Sequence, residues 1–232
     1  MWNKFFVDPG NKAAYTVAKV LSENNRVYNP AIIYGPSGCG KSLLMDCLEA
    51  DLKAKGVAVT RITAEQLVAD VVEDIRNNMS GSVEKFCERF VGTEVLIVED
   101  LQCLRDRYST QEHLYWIMNE MLRKRNQQVV FTMNIAPRYL DLLNERLASC
   151  FEFALQIYID PPSMELKMRV LDCELGEKVS FRGKLTIAYA VDNLLQLKGV
   201  CKNLLFYMEK MKEEVDEQLI ERILKTRVNI NA

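Results

Sequence analysis

A chain of 232 residues, 49% apolar and 27% charged, is long enough to bury a sizeable core and has the balance of an ordinary soluble protein. A formal net charge of −2 excludes a global basic footprint, so any nucleic acid must meet a local patch. No apolar run approaches the ~18 residues of a membrane span, and the first ten residues are too soon broken by Asp8-Pro9-Gly10 for a signal peptide; a cytoplasmic protein without membrane contact is expected.

The elements alternate along the chain. Asn11 to Glu23 has helical spacing, with Ala14, Val17, Ala18 and Leu21 on one face. Ala31 to Tyr34 reads as a short buried strand, followed by a glycine loop and a helix from Ser42 to Lys55 with Leu43, Leu44, Cys47 and Leu48 inward. Val57 to Ile62 is a strand. Thr63 then caps a helix reaching about Asn78, with Gln66 as capping-box partner. Ser80-Gly81-Ser82 interrupts it, and Val83 to Phe90 is a second short helix. Glu94 to Val98 is a strand, Thr110 opens a helix to about Arg125, Gln128 to Met133 is a strand, Pro137 to Ser149 is mostly helical, and Ala154 to Ile159 is a last strand. Such alternation predicts an α/β fold with a parallel sheet of five strands covered on both faces. Asp160-Pro161-Pro162 marks a boundary. Beyond it Met164 to Gly176, Lys184 to Asn193, Leu195 to Met211 and Glu217 to Thr226 read as helices. Residues 1–162 are therefore expected to form the α/β core, and 163–232 a small helical domain.

Seven cysteines with no C-x-x-C pair, and His113 as the single histidine, argue against zinc and for reduced thiols used as small core residues.

Gly35-Pro36-Ser37-Gly38-Cys39-Gly40-Lys41-Ser42 matches G-x-x-x-x-G-K-[ST], between a strand and a helix as a phosphate-binding loop requires. Gly35, Gly38 and Gly40 let backbone N–H groups turn inward, and the helix N-terminus adds partial positive charge beneath the phosphates. Lys41 would reach the β- and γ-phosphates of ATP, and the Ser42 hydroxyl would bind Mg²⁺. The strand at 95–98 ends in Glu99-Asp100. At the carboxyl edge of a parallel sheet that pair lies beside the loop. Glu99 is assigned to the Mg²⁺ shell, and Asp100 to orienting or deprotonating the attacking water. Asn134, at the next strand end, would touch the γ-phosphate or that water. A small-molecule kinase usually lacks such adjacent acids, and the helical domain after the sheet favours the AAA+ group, in which it forms a lid.

Several segments resemble the bacterial replication initiator DnaA family: Tyr28-Asn29-Pro30-Ala31-Ile32-Ile33-Tyr34-Gly35, Phe6-Val7 with Asn11-Lys12-Ala13-Ala14, Ile97-Val98-Glu99-Asp100-Leu101-Gln102, Thr110-Gln111-Glu112, and Asp160-Pro161-Pro162 with Glu165 and Arg169. The resemblance runs from about residue 5 to 226. It does not extend to the family's partner-binding and helix-turn-helix domains, so a protein similar in outline to short DnaA homologues such as Hda is expected. Departures carry mechanistic weight. Where the family places an arginine finger, Arg146-Leu147-Ala148-Ser149-Cys150-Phe151 has Cys150; a finger supplied to a neighbour is worth roughly 10³ to 10⁵ in rate. Leu195 stands where the lid offers a second arginine, with Lys198 and Lys202 nearby, and Glu99 stands where the family has Asp. The resemblance also implies single-stranded DNA contact through segments 64–78 and 104–109, with Val68 as an apolar contact, Arg107 as a basic one, and Arg105 taking over part of the role of the basic residue replaced by Ser109. Arg123-Lys124-Arg125 instead suits a helix C-terminus.

The expected function is a DnaA-like AAA+ protein in replication initiation or its regulation, a nucleotide-bound switch or adaptor with weak hydrolysis. Its expected partners are a DnaA-type initiator or the replicative helicase machinery, single-stranded DNA, and further copies assembled head to tail. Two alternatives stand beside it: an active helicase-loader-type ATPase, and a nucleotide-independent structural partner of the initiator.

Overall fold

The computed structural model describes all residues except 24, 25, 78, 80, 125, 138–142 and 229–232. Contacts group the chain into two units. One comprises Met1–Phe5, Asn11–Pro36 and Lys41–Ile159; the other comprises Phe6–Gly10, Ser37–Gly40 and Asp160–Ala232.

The first unit is built on a five-stranded parallel sheet. Its strands are β1 (Ala31–Tyr34), β2 (Val59–Thr63), β3 (Val95–Glu99), β4 (Gln128–Met133) and β5 (Leu155–Tyr158), in the order β2-β3-β4-β1-β5. β3 and β4 are buried at every position, as near-continuous apolar runs in the middle of a parallel sheet must be. The edge strands β2 and β5 keep partly exposed residues. Register brings the strand ends together: Thr63 pairs with Glu99, Val98 with Phe131, and Tyr34 with Met133. Helix α1 (Lys12–Ser22) packs on α2 (Lys41–Ala54). Helices α3 (Ala64–Asn77), α4 (Val83–Val91) and α6 (Glu145–Glu152) pack on α5 (Tyr108–Arg123). The core includes Phe131, fully buried and edge-on to Phe151 with ring centroids 5.2 Å apart.

The second unit is helical: α7 (Met164–Leu175), α8 (Phe181–Ala190), α9 (Leu194–Phe206) and α10 (Glu217–Val228) surround Leu171, Ile187, Leu197, Val200 and Leu204. Ser163, Ser180 and Asn193 each cap a helix by accepting the backbone N–H three residues on. Arg169 fastens the N-terminal segment of this unit, donating to Val7 O at 3.0 Å and lying over the Phe6 ring.

The elements follow the sequence expectation in order and type, with local differences. Thr63 does cap α3, accepting from Gln66 N at 3.1 Å, but the Gln66 side chain reaches forward to Asp70 and leaves the capping box half made. Thr110 does not open α5: the helix starts at Tyr108, and Thr110 is buried inside its first turn. Of the segment 104–109, Leu104 closes a 3₁₀ turn at Leu101–Leu104, and Tyr108 and Ser109 already lie in α5. The short polar residues near a helix start compete for the cap, and tertiary packing chooses among them. Of the helix expected from Pro137, residues 138–142 lie outside the described ones, and α6 begins at Glu145 behind Asn144, which caps it through Leu147 N.

The cysteines carry a pH signature. Burial pushes the Cys87 and Cys201 thiols up from 9.0 to about 12, whereas Cys173 is exposed. At pH 8 a thiol of pKa near 12 is ionised in only about one molecule in 10⁴, so a disulfide reagent is expected to label Cys173 first and the two buried thiols only on unfolding. Because the folded state holds these protons more tightly, the linked stability is complete below pH 9.0 and is lost as pH rises towards about 12. Timed thiol labelling, with melting temperature followed against pH, checks both.

Candidate nucleotide site

The phosphate-loop segment leaves β1 through Gly35, whose N–H donates to Met133 O at 3.2 Å. Gly38 and Gly40 have φ of 73° and 108°, a region open to glycine and costly to other residues. Within the second unit a Cβ on Gly38 would lie 2.7 Å from Asn193 Oδ1, and Leu194 N donates to Gly38 O at 3.0 Å. Glycine is thus required at 38 by both conformation and space. Asn193 is a contact that sequence reasoning missed; its one visible signal is an Asn ahead of an apolar helix.

In the first unit Lys41 opens α2. Its side chain is buried, and Nζ donates to Gly35 O at 2.6 Å and Pro36 O at 3.0 Å, curling back over the start of the loop. Ser42 is exposed in the first turn of α2.

Glu99 is buried at the end of β3. One of its oxygens, Oε1, accepts from Arg61 Nε at 2.6 Å. The same guanidinium donates through Nη1 to Asp46 (2.6 Å) and Glu49 (3.0 Å), and through Nη2 to Ser42 O at 3.4 Å. Burial opposes the charge on Arg61, but its bonds to Glu99, Asp46 and Glu49 outweigh that and raise it above its ordinary pKa. One side chain therefore ties the end of β3 to the first turn of α2, bringing Ser42 and Glu99 to the same place. Arg61 was missed at the sequence level, although a lone arginine inside the strand Val59–Thr63 was a usable signal.

Asp100 follows in the left-handed region (φ 57°, ψ 48°), which Asp tolerates better than most residues. Its N–H donates to Thr132 Oγ1 at 3.3 Å. Gln102 then bridges two candidates: Nε2 donates to Asp100 Oδ1 at 3.1 Å, and Oε1 accepts from Asn134 N at 3.1 Å. Asn134 is exposed just beyond β4. Lys41, Ser42, Glu99, Asp100 and Asn134 thus collect at the carboxyl edge of one sheet. The donors fit Mg²⁺: Ser42 and Glu99 offer hard oxygens. Among the described residues no three or more His, Cys, Asp or Glu form a cage of their own.

Outside this edge, Cys150 packs against the main core, while Arg146 is exposed and sits 3.6 Å from Glu112 Oε2. Leu195 is exposed in the first turn of α9, as are Lys198 and Lys202 along that helix. Arg105 and Arg107 are exposed, whereas Val68 is half-buried against the core. The more exposed apolar side chains of that region are Val72 and Ile75, with Met79 beyond the helix.

A family model described as the bacterial DnaA ATPase domain matches residues 1–158. The chromosomal replication initiator protein DnaA of Wolinella succinogenes is 30% identical over 232 residues, covering 98% of this chain and 52% of that protein. The chain therefore spans about half the length of the curated relatives it matches. Domain III of the Thermotoga maritima replication initiation protein DnaA superposes with a TM-score of 0.88 at 28% identity, over 97% of this chain and 95% of that one. A replication initiator DnaA solved with AMPPCP and single-stranded DNA shares the fold, with a TM-score of 0.83 at 24% identity over 98% and 69% of the two chains.

Proposed function

Because the chain belongs to the bacterial DnaA ATPase-domain family, we propose that it binds ATP at residues 35–42 and acts in replication initiation or its regulation as a nucleotide-bound switch or adaptor that hydrolyses slowly. The observation that carries this reading is the bond pattern joining the loop, Glu99, Asp100 and Asn134 at one sheet edge. Lys41 has the charge and reach to exchange loop carbonyls for phosphate oxygens. Ser42 and Glu99 would hold Mg²⁺, which neutralises phosphate charge when bound. Asp100, steadied by Gln102, is the group to orient a water, and Asn134 the one to contact the γ-phosphate or that water. Slow turnover follows from Cys150 and Leu195: neither carries the cation that stabilises charge developing on the transferred phosphate.

Exposed Arg105 and Arg107, beside the apolar residues of α3, support a single-stranded DNA contact. A neighbouring copy, a DnaA-type initiator or the helicase machinery are the partners that fit a nucleotide switch of this family.

A helicase-loader-type ATPase is the second reading, and Arg146 favours it, being 70% exposed and loosely held at 3.6 Å from Glu112. One experiment separates the two. ATP turnover is followed over a protein concentration series, with and without single-stranded DNA, for wild type and Arg146→Ala. The switch reading expects slow turnover that is flat with concentration and indifferent to Arg146→Ala. Turnover that climbs steeply and drops in the variant establishes the motor. Failure of wild type to bind a fluorescent ATP analogue at micromolar protein overturns both.

A further inference from the structure

The placement of Arg61 carries an inference about how this site uses its metal, resting on the ATP-binding reading above. Arg61 lies in β2, in register with Ile97, two residues before the Thr63–Glu99 pair. Glu99 is buried, its side chain at 8% exposure, and Arg61 is half-buried at 19%. The charge environment is crowded: Asp46, Glu49 and Glu99 surround the guanidinium, and Lys53 reaches Glu49 at 2.7 Å. Three carboxylates thus face the guanidinium, one of them shared with Lys53, and Arg61 touches both Glu99 and Ser42 O. Glu99 has one methylene more than Asp, which lets its carboxylate turn towards β2 and meet the guanidinium.

We propose that Arg61 is a positioning residue that holds Glu99 as an internal counter-cation, so that nucleotide binding by this chain depends only weakly on Mg²⁺. A fixed positive charge beside the metal-binding carboxylate does part of what a divalent ion does in such a site. It offsets the acids that would repel the phosphates, and it competes with the ion for Glu99. Removing that charge leaves Glu99 unpaired beside Asp46 and Glu49. Free nucleotide is then repelled more strongly, while its Mg²⁺ complex gains a better ligand. Both effects push the metal dependence of binding in one direction.

The readout is the ratio of the dissociation constant of a fluorescent ATP analogue in EDTA to that in Mg²⁺. Wild type is expected to show a small ratio. Arg61→Met is expected to raise it about tenfold, the scale of one unit charge acting at short range in a partly solvated site. Arg61→Lys, which keeps the charge, should return the ratio most of the way to wild type. Thermal melts of each variant verify folding. If Arg61→Met does not fold, Arg61→Lys compared with Glu99→Gln serves instead. The first should hold the wild-type ratio, and the second should bring it towards one by removing the carboxylate for which both cations compete. An unchanged or lowered ratio in Arg61→Met, or a large ratio already in wild type, overturns the inference. Wild type that binds no analogue in either condition refutes the ATP-binding reading itself.

Discussion

Lys41→Ala is expected to weaken binding of ATP by at least about a hundredfold while leaving the fold intact. The side chain is buried, yet its Nζ donates to two carbonyls of its own loop, Gly35 O and Pro36 O. Those neutral acceptors are ones a triphosphate can displace. Hydrogen bonds to charged groups contribute about 1.5–3 kcal/mol each, and two to phosphate oxygens account for a loss of that size. Alanine removes both the donors and the fixed charge. The loop turn is set independently, by positive φ at Gly38 and Gly40 and by the Gly35–Met133 bond, so the melting temperature without nucleotide should change little. Titration of a fluorescent ATP analogue, paired with melts in the presence and absence of ATP, tests this. Ligand stabilisation of the melt should vanish in the variant. Wild-type affinity in Lys41→Ala would remove residues 35–42 from consideration as the site.

Phe131→Ala is expected to destabilise the first unit by about 3–5 kcal/mol, the usual cost of deleting a buried aromatic ring. Phe131 is fully buried in β4, in register with Ile32 of β1 and Val98 of β3, with Phe151 edge-on at 5.2 Å. Its removal leaves a cavity between the sheet face and Phe151 of α6. The backbone pairing on either side restrains the collapse that would refill it. Phe153, 64% exposed after α6, is the matched control. The same substitution there should stay within about 0.5 kcal/mol. Urea unfolding of the two variants gives the comparison. Equal destabilisation at 131 and 153 would mean that the core is not where the burial pattern puts it.

Much of the candidate site is legible in the sequence. The loop at 35–42 announces itself because glycine spacing, the flanking apolar strand and the Lys-Ser at the helix start are all local. Glu99, Asp100 and Asn134 stand out as candidates because polar residues closing apolar strands fall at the carboxyl edge of a parallel sheet, which is where they lie. The helix starts were read less well. Thr63 bonds Gln66 N as a cap should, but Gln66 bonds Asp70, and Thr110 lies within α5 instead of before it. Side-chain amides choose between several nearby partners by fractions of a kcal/mol, and packing settles the choice. Gln111 is an instance: it is fully buried, donating to Leu104 O and accepting from Asn144 N, and nothing in its flanks predicts either bond.

The sequence by itself determined the α/β order, the phosphate-loop segment and the acidic strand end. Each is written in a few consecutive residues whose backbone preferences or charges act over short range. The tertiary structure alone decided what those pieces touch. Arg61 meets Glu99 across 38 residues because β2 and β3 pair in one register, and a slip of one residue would turn its guanidinium to the opposite face. Gln102 joins Asp100 to Asn134 because β3 and β4 end side by side. Cys150 packs against the core because α6 folds onto α5. Register and packing are properties of the whole chain, and no window of sequence contains them.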